Sequence, residues 1–420
     1  MASLSNSATK QTDKPMNKRK IINDPVYGFI SIPHELIFEI IEHRYFQRLR
    51  RIKQLGLTEM VYPGANHTRL NHVLGALHLM GQAIETLRNK GVEISSEEEL
   101  GAYVAILLHD IGHGPLSHAL ENKIIPIHHE TLSLMFMRAI DRELGGRLKL
   151  GIEIFCDNYH KKFLHQLVSG QLDMDRMDYL NRDSFFTGVS EGVIGYDRII
   201  KMLNIVDNEL VIEEKGIYSI EKFLIARRIM YWQVYLHKTV VSAEQMIIKM
   251  IDRYKKLFAD QAHTFAPDSF EYFLLKQHSL DDFLQSEEKL LESFSQFDDS
   301  SLAGLIKQLS KHEDRILSYL ASGILNRKLL KVEFHANAPS AEKIKDYRSK
   351  AAEMLNVPAD EAAYLVFTGA ESNRMYTTQK EEIKVLFKNG EVKPFSALSE
   401  YNLSSQDITK YYFCYPRIVV

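Results

Sequence analysis

The run "SSEEELGAYVAILLHDIGHGPLSH", which ends at His118, restricts the fold more than any other part of the chain. Ser95 and Ser96 are each followed three residues later by a glutamate, Glu98 and Glu99, the pattern in which a hydroxyl and a carboxylate cap a helix start reciprocally. The mostly apolar "AYVAILL" carries the predicted helix to His109, and Gly112 stops it. Neighbouring residues on a helix point about 100° apart, so His109 and Asp110 can serve one ligand together only near a helix end. Gly112 puts that end two residues on. The dipeptide therefore reads either as a simple cap or as half of a metal site, and further ligands must decide.

The surroundings are helical. From Ile21 to about Arg327 the helical signal dominates, with "HHETLSLMFMRAIDREL" and the long "SIEKFLIARRIMYWQVYLHKTVVSAEQMIIKMIDRYKKLF" as clear examples. "NELVIEEKGIYSI" alternates around Lys215-Gly216 and predicts a β-hairpin. Beyond Leu330 the pattern changes: "KVEFHA" predicts a strand, "SAEKIKDYRSKAAEML" a helix, and "AAYLVFT", "EIKVLFKNGEVKPF" and "KYYFCYPRIVV" strands. The expected organisation is a disordered polar tail over 1–19, an all-α domain over 20–328 and a small α+β domain over 329–420. The fold class is mainly α, a helical core with a hairpin insertion.

Lys plus Arg number 52 against 55 Asp plus Glu, a formal net charge of −3. That balance makes nucleic acid an unlikely partner, while a local basic pocket for phosphates is still allowed. The two cysteines, Cys156 and Cys414, lie far apart and predict neither disulfide nor zinc–thiolate site. No signal-peptide core and no bilayer-length apolar run is present, so the expectation is a cytoplasmic protein without membrane contact.

Of 17 histidines, eight fall between His67 and His129. Upstream of His109-Asp110, "PGANHTRLNHVLGALHLMG" offers His67, His72 and His78. Downstream, "SGQLDMDRMDYLNRDSFFTGV" offers Asp173, Asp175, Asp178 and Asp183. Imidazole with carboxylate suits a divalent ion such as Mn, Fe, Zn, Ni, Co or Mg, and the lack of cysteine disfavours a purely structural zinc.

A histidine, then His-Asp, then a later Asp is the order that names the HD phosphohydrolase superfamily. "NDPVYGFI", "FQRLRRIKQLG", "YPGANHTRLNHVLG", "LLHDIGHGPLSH", "HHE" and "DMDRMDYLNRDSFFTGV" resemble, in order, the deoxynucleoside triphosphate triphosphohydrolase branch of it, over roughly residues 20 to 250. The resemblance implies an HD-domain core with His72, His109, Asp110 and Asp175 as metal ligands. It implies His118 as general acid with Glu121 as its acidic partner, and His113 and His129 as contacts to the triphosphate. The family usually has Asp where Glu121 stands. It further implies a substrate site of Arg69, Arg176, Tyr235, His237 and Lys238, with Gln54, Leu55, Tyr179 and Asp183 around the sugar. The activity implied is metal-dependent hydrolysis of a deoxynucleoside triphosphate to deoxynucleoside and inorganic triphosphate.

Regulated members of this branch carry a guanine nucleotide near the N-terminal block. Lys20, Asn23, Gln47 and Arg50 match it, and Glu42 stands where the vertebrate members have Asp. The resemblance thus implies a guanine or deoxynucleotide effector and a homo-oligomer, dimer or tetramer. Two other readings compete. A cyclic-dinucleotide phosphodiesterase would call for a Gly-Tyr-Pro signature near the His-Asp block, which is absent; an HD nuclease is the other enzymatic alternative. A nucleotide-sensing regulator with a dead site should have lost ligands, and all four expected ones are intact.

Overall fold

The computed structural model describes residues 20–121, 123–276, 278–373, 382–398 and 408–419. The expected tail over 1–19 and the side chain of His118 lie outside the described residues. The chain opens with a hairpin, β1 (Ile21–Asp24) and β2 (Gly28–Ser31). Its turn is set by Asp24, whose Oδ1 accepts from the amides of Val26 and Tyr27, both at 3.0 Å. Helices α1 (Glu35–Glu42), α2 (Arg44–Gln47), α3 (Arg69–Asn89), α4 (Ser96–Leu108), α5 (His129–Glu143), α6 (Lys149–Phe155), α7 (Lys162–Val168), α8 (Met174–Thr187) and α9 (Tyr196–Met202) follow. The α4 start is the capping box expected: the Ser95 amide donates to Glu98 at 2.8 Å and the Glu98 amide to Ser95 Oγ at 3.1 Å. From Val104 to Leu108 every side chain of α4 is buried. Each large aliphatic there contributes on the order of 1.5–3 kcal/mol.

The central packing is α3 against α4 and α8. Gly75 sets how closely α3 and α8 approach, because a Cβ there would lie 2.0 Å from Asp178 Oδ1. Any side chain at that position would push the two helices apart.

A hairpin does form, but its turn is displaced. β3 (Leu203–Val206) and β4 (Glu209–Glu213) pair antiparallel about Asp207-Asn208, which carry φ of 50° and 66°. Two successive left-handed residues make the tight turn that matches strand twist, and Asp and Asn tolerate it. Lys215-Gly216 instead lies in a 3₁₀ turn that leads into α10 (Ile217–Met230). The single long helix expected next is broken. A π-helical segment spans Tyr231–Tyr235, and His237 caps a new helix, α11 (Lys238–Phe258), its Nδ1 accepting from the Thr239 amide at 3.2 Å. π-segments inside helices commonly mark functional sites.

Helices α12 (Phe270–Lys276), α13 (Leu280–Gln285), α14 (Glu287–Ser295), α15 (Asp299–Leu309) and α16 (Arg315–Leu325) complete the helical part. The C-terminal region holds β5 (Lys331–His335), α17 (Ala341–Leu355), β6 (Phe367–Asn373), β7 (Lys384–Leu386), β8 (Val392–Pro394) and β9 (Ile408–Tyr415). Within "AAYLVFT" only the end is strand, because Glu361–Tyr364 is a 3₁₀ turn. One sheet has the antiparallel order β5-β9-β6; in the other, β7 adds parallel to β4 to give β3-β4-β7-β8. The fold is thus mainly α, a helical core with a hairpin and a C-terminal α+β region. One continuous core includes Leu330, Phe367 and Phe413 of that region. Among the described residues no helix is long and apolar enough to cross a membrane.

Candidate metal and active site

Four segments meet at the C-terminal end of α4. His109 caps the helix, its Nδ1 2.7 Å from the Ile106 carbonyl oxygen. A carbonyl only accepts, so Nδ1 carries the hydrogen and Nε2 keeps its lone pair. His72, on α3, places Nδ1 2.7 Å from Asp178 Oδ2. That carboxyl is held below its usual range despite burial, because Arg182 and His72 favour its charge. His72 therefore also donates from Nδ1 and turns Nε2 inward. Both Nε2 atoms are buried without a hydrogen-bond partner. They face Asp175 Oδ1 at 3.1 Å from His72 and 3.6 Å from His109.

Asp110 closes the cluster, its Oδ1 3.3 Å from His109 Nε2 and its Oδ2 3.6 Å from His72 Nε2. Two orphaned imidazole nitrogens converging on carboxylate oxygens are what a divalent cation needs. His72, His109 and Asp175 offer ligand atoms all within 4.8 Å of one another. The residues fit a metal ion.

Electrostatics point the same way. Burial would depress the His72 pKa, but the Asp175 and Asp178 carboxylates outweigh it and raise it to about 10. Asp175, desolvated yet facing His109 and His72, is held well below the usual carboxylate range. The raised His72 pKa favours a proton on the ring in the metal-free protein, and Nε2 must be free of it to ligate. Metal loading at pH 7 is expected to release about one proton per ion, with affinity rising as pH rises. Calorimetry in buffers of differing ionisation enthalpy checks this.

The supports are built from several elements. Asp178 also pairs with Arg182, and Arg182 Nη1 donates to Asp24 Oδ2 at 2.8 Å. The N-terminal "NDP" block is thereby tied to His72 through two buried ion pairs, the kind of outer contact that fixes ligand orientation. Gly112 lets α5 lie against the turn, because a Cβ would sit 2.2 Å from the His129 carbonyl oxygen. Ser133 Oγ donates to the His109 carbonyl at 2.7 Å and accepts from the Gly112 amide at 2.9 Å. Buried Arg48 donates to the Ile111 and His113 carbonyls at 2.8 and 2.7 Å. Leu116 and Ser117 both adopt left-handed φ, near 53° and 52°. Asp299 holds this strained loop, accepting from the Leu116 amide at 2.9 Å and the Lys53 amide at 2.8 Å.

Arg69 reaches Ser117 Oγ at 2.8 Å and pairs with Asp110. His113 Nε2 lies 3.3 Å from Asp110 Oδ1, and its ring stacks on His129 at 4.0 Å. Glu121 accepts from the His129 amide at 3.1 Å and from its Nδ1 at 2.7 Å, so the carboxylate expected beside His118 engages His129. Glu121, His128 and His129 form a second group whose ligand atoms lie within 4.8 Å.

A cavity of about 160 Å³ at the cluster is lined by Gln54, Arg69, His109, Asp110, Asp175 and Tyr179, among others. Gln54, Arg69 and Tyr179 also line a neighbouring cavity of about 510 Å³, with Leu55, Asp183, Tyr235 and Arg227. Asp183 is clamped, accepting from Tyr235 Oη at 2.7 Å and lying 2.8 Å from His67 Nε2.

Three expected substrate residues lie elsewhere. Arg176 pairs with Asp173 and lines a different cavity with Lys162 and Lys384. His237 spends its Nδ1 capping α11, and exposed Lys238 begins that helix. Neither is among the lining residues of the two cavities at the cluster. Among the effector residues, Asn23, Glu42 and Arg50 are exposed. Lys20 Nζ sits 2.9 Å over the Phe38 ring, and Gln47 accepts from Arg50 at 2.6 Å. Sequence reasoning missed Arg48, Arg227, the His72–Asp178 pair and the Asp24–Arg182 tie. Only Asp178 gave a signal, as the third acid of "DMDRMD".

A helical core with this His/His-Asp/Asp cluster defines a class, and comparison with known proteins agrees. Residues 69–183 match the HD domain family and 194–267 the HD associated region. The chain belongs to the HD-domain phosphohydrolase family. It is 31% identical to the uncharacterized protein YwfO of Bacillus subtilis (strain 168), covering 96% of this chain and 94% of that one. The crystal structure of a phosphohydrolase from Bacteroides thetaiotaomicron VPI-5482 superposes with a TM-score of 0.90 at 48% identity, covering 95% of this chain and 100% of that one. The deoxynucleoside triphosphate triphosphohydrolase SAMHD1 of Homo sapiens is 32% identical over 54% of this chain and 43% of its own length, so the chain spans under half of that protein.

Proposed function

We propose that the protein hydrolyses deoxynucleoside triphosphates to deoxynucleoside and inorganic triphosphate. The observation that carries this is the pair of buried, unpartnered Nε2 atoms of His72 and His109, converging with Asp175 at the end of a cavity that continues into a larger chamber. His72, His109, Asp110 and Asp175 would hold the divalent ion. When bound, such an ion supplies Lewis-acid polarisation of a phosphoryl oxygen and acidifies a water. Water oxygen bonds to the α-phosphorus, the bond to the 5′-oxygen breaks, and that oxygen takes a proton. His118 is proposed as its donor, supported by its place three residues before Glu121. Arg69, His113 and His129 orient the phosphates.

Leu55 and Tyr179 line the chamber where the sugar would lie. A 2′-hydroxyl pressed there loses its hydrogen-bond partners, costing about 1–3 kcal/mol. The protein is therefore expected to turn over dGTP roughly 10–100-fold more efficiently than GTP. A screen of divalent metals against deoxy- and ribonucleotides tests this; equal kcat/KM for the two sugars would count against it.

The exposed Lys20, Asn23, Glu42 and Arg50, with half-buried Gln47, are proposed to bind a guanine or deoxynucleotide effector between subunits of a homo-oligomer. Surface residues of one chain enclose such a ligand poorly, so binding would favour assembly. Arg50→Ala is expected to abolish activation while leaving metal content unchanged. Sedimentation beside an activity titration checks this, and a fully active monomer indifferent to nucleotide would retire it.

A further inference from the structure

The larger chamber ends in two acids that the cluster does not use. Glu244 on α11 and Glu371 on β6 both line it, while neither lines the cavity at the metal cluster. Among the described residues neither carboxylate has a hydrogen-bond or ion-pair partner. Burial pushes the Glu244 carboxyl up to about 8, with repulsion from Glu371 adding to the shift, and burial raises Glu371 too. Two acids facing one cavity offer it a row of hydrogen-bond acceptors.

The strand that brings Glu371 is braced. Glu371 pairs across the sheet with Lys410, whose Nζ lies 3.9 Å over the Trp232 ring. Trp232 belongs to the π-segment that also carries Tyr231 and Tyr235, and both tyrosines line the chamber. The C-terminal sheet and the aromatic wall are thus one unit.

This step rests on the reading that the substrate is a deoxynucleotide. With its phosphates at the cluster and its sugar beside Gln54 and Tyr179, its base points toward the acids. An amino group that donates to either acid favours its ionised form, which only accepts hydrogen bonds. Adenine, guanine and cytosine carry amino groups that donate; thymine offers one N–H between two carbonyl oxygens. We propose that Glu244 and Glu371 read the nucleobase, accepting amino-bearing bases and rejecting thymine, so that β6 of the C-terminal region forms part of the substrate site.

Two measurements on the full chain test this: calorimetric titration of the four deoxynucleosides, and kcat/KM for the four deoxynucleoside triphosphates. Both are made on the unaltered protein, on Glu244→Gln and on Glu371→Gln. Thymidine is expected to bind at least about tenfold more weakly than the other three, the scale of one unsatisfied polar contact. dTTP should show the same deficit. Glu371→Gln, whose amide can donate to a carbonyl, is expected to shrink the deficit to within about threefold. Equal binding of all four by the unaltered protein overturns the proposal without reference to any variant. So does a deficit unchanged in both variants, or a magnesium ion found bound between the two acids. Base discrimination without hydrolysis of any triphosphate would overturn the proposed activity and keep the base reading; hydrolysis without discrimination would do the reverse.

Discussion

Asp175→Ala is expected to lose bound metal and hydrolysis together, with kcat falling by roughly three orders of magnitude or more. A ligated ion supplies several kcal/mol of transition-state charge stabilisation, and about 1.4 kcal/mol is tenfold in rate. Asp175 Oδ1 faces both orphaned Nε2 atoms, 3.1 Å from His72 and 3.6 Å from His109. Without it, His72 and His109 keep only Asp110 as a carboxylate in reach, and that one is shared with Arg69. Metal content by elemental analysis is read beside activity, with circular dichroism to confirm the fold. Full metal occupancy in the variant would show that Asp175 is not a ligand.

Arg182→Ala is expected to cost about 3–5 kcal/mol of stability, because it strips the partner from buried charges. The Arg182 and Asp178 side chains are 0% exposed and that of Asp24 is 3% exposed. Without the guanidinium, Asp178 has less reason to stay ionised, so its hold on His72 Nδ1 weakens. A drop in metal affinity of roughly 10–100-fold should accompany the loss of stability. Urea denaturation of the metal-free protein separates the two effects. An unchanged midpoint would mean that the N-terminal hairpin is not clamped through this pair.

The helical core and the meeting of His72, His109 and Asp175 are legible in the chain because both depend on local patterns. A capping box, an apolar run and a glycine stop define α4, and an ordered set of blocks places the other ligands. Where competing local signals had to be weighed, the pattern misleads. The hairpin turn falls at Asp207-Asn208 because two side chains that tolerate left-handed φ outcompete the single glycine at Gly216. The long helix breaks at Tyr231–Tyr235 although its propensity is continuous. Arg176 is drawn to Asp173, three residues earlier on its own helix, which no motif reveals. Tertiary partners are the least legible. Asp24 meets Arg182, and Glu371 joins Glu244 at one chamber, only because the folded sheets and helices bring them there.

The central claim is cleavage at the α-phosphorus on the nucleoside side, and product identity tests it most directly. Purified protein loaded with a divalent metal is incubated with dGTP, and the products are resolved by chromatography and phosphorus magnetic resonance. Deoxyguanosine with inorganic triphosphate in equal amounts is the predicted result. Deoxyguanosine mono- or diphosphate with pyrophosphate or phosphate, or no turnover with any metal, would contradict it.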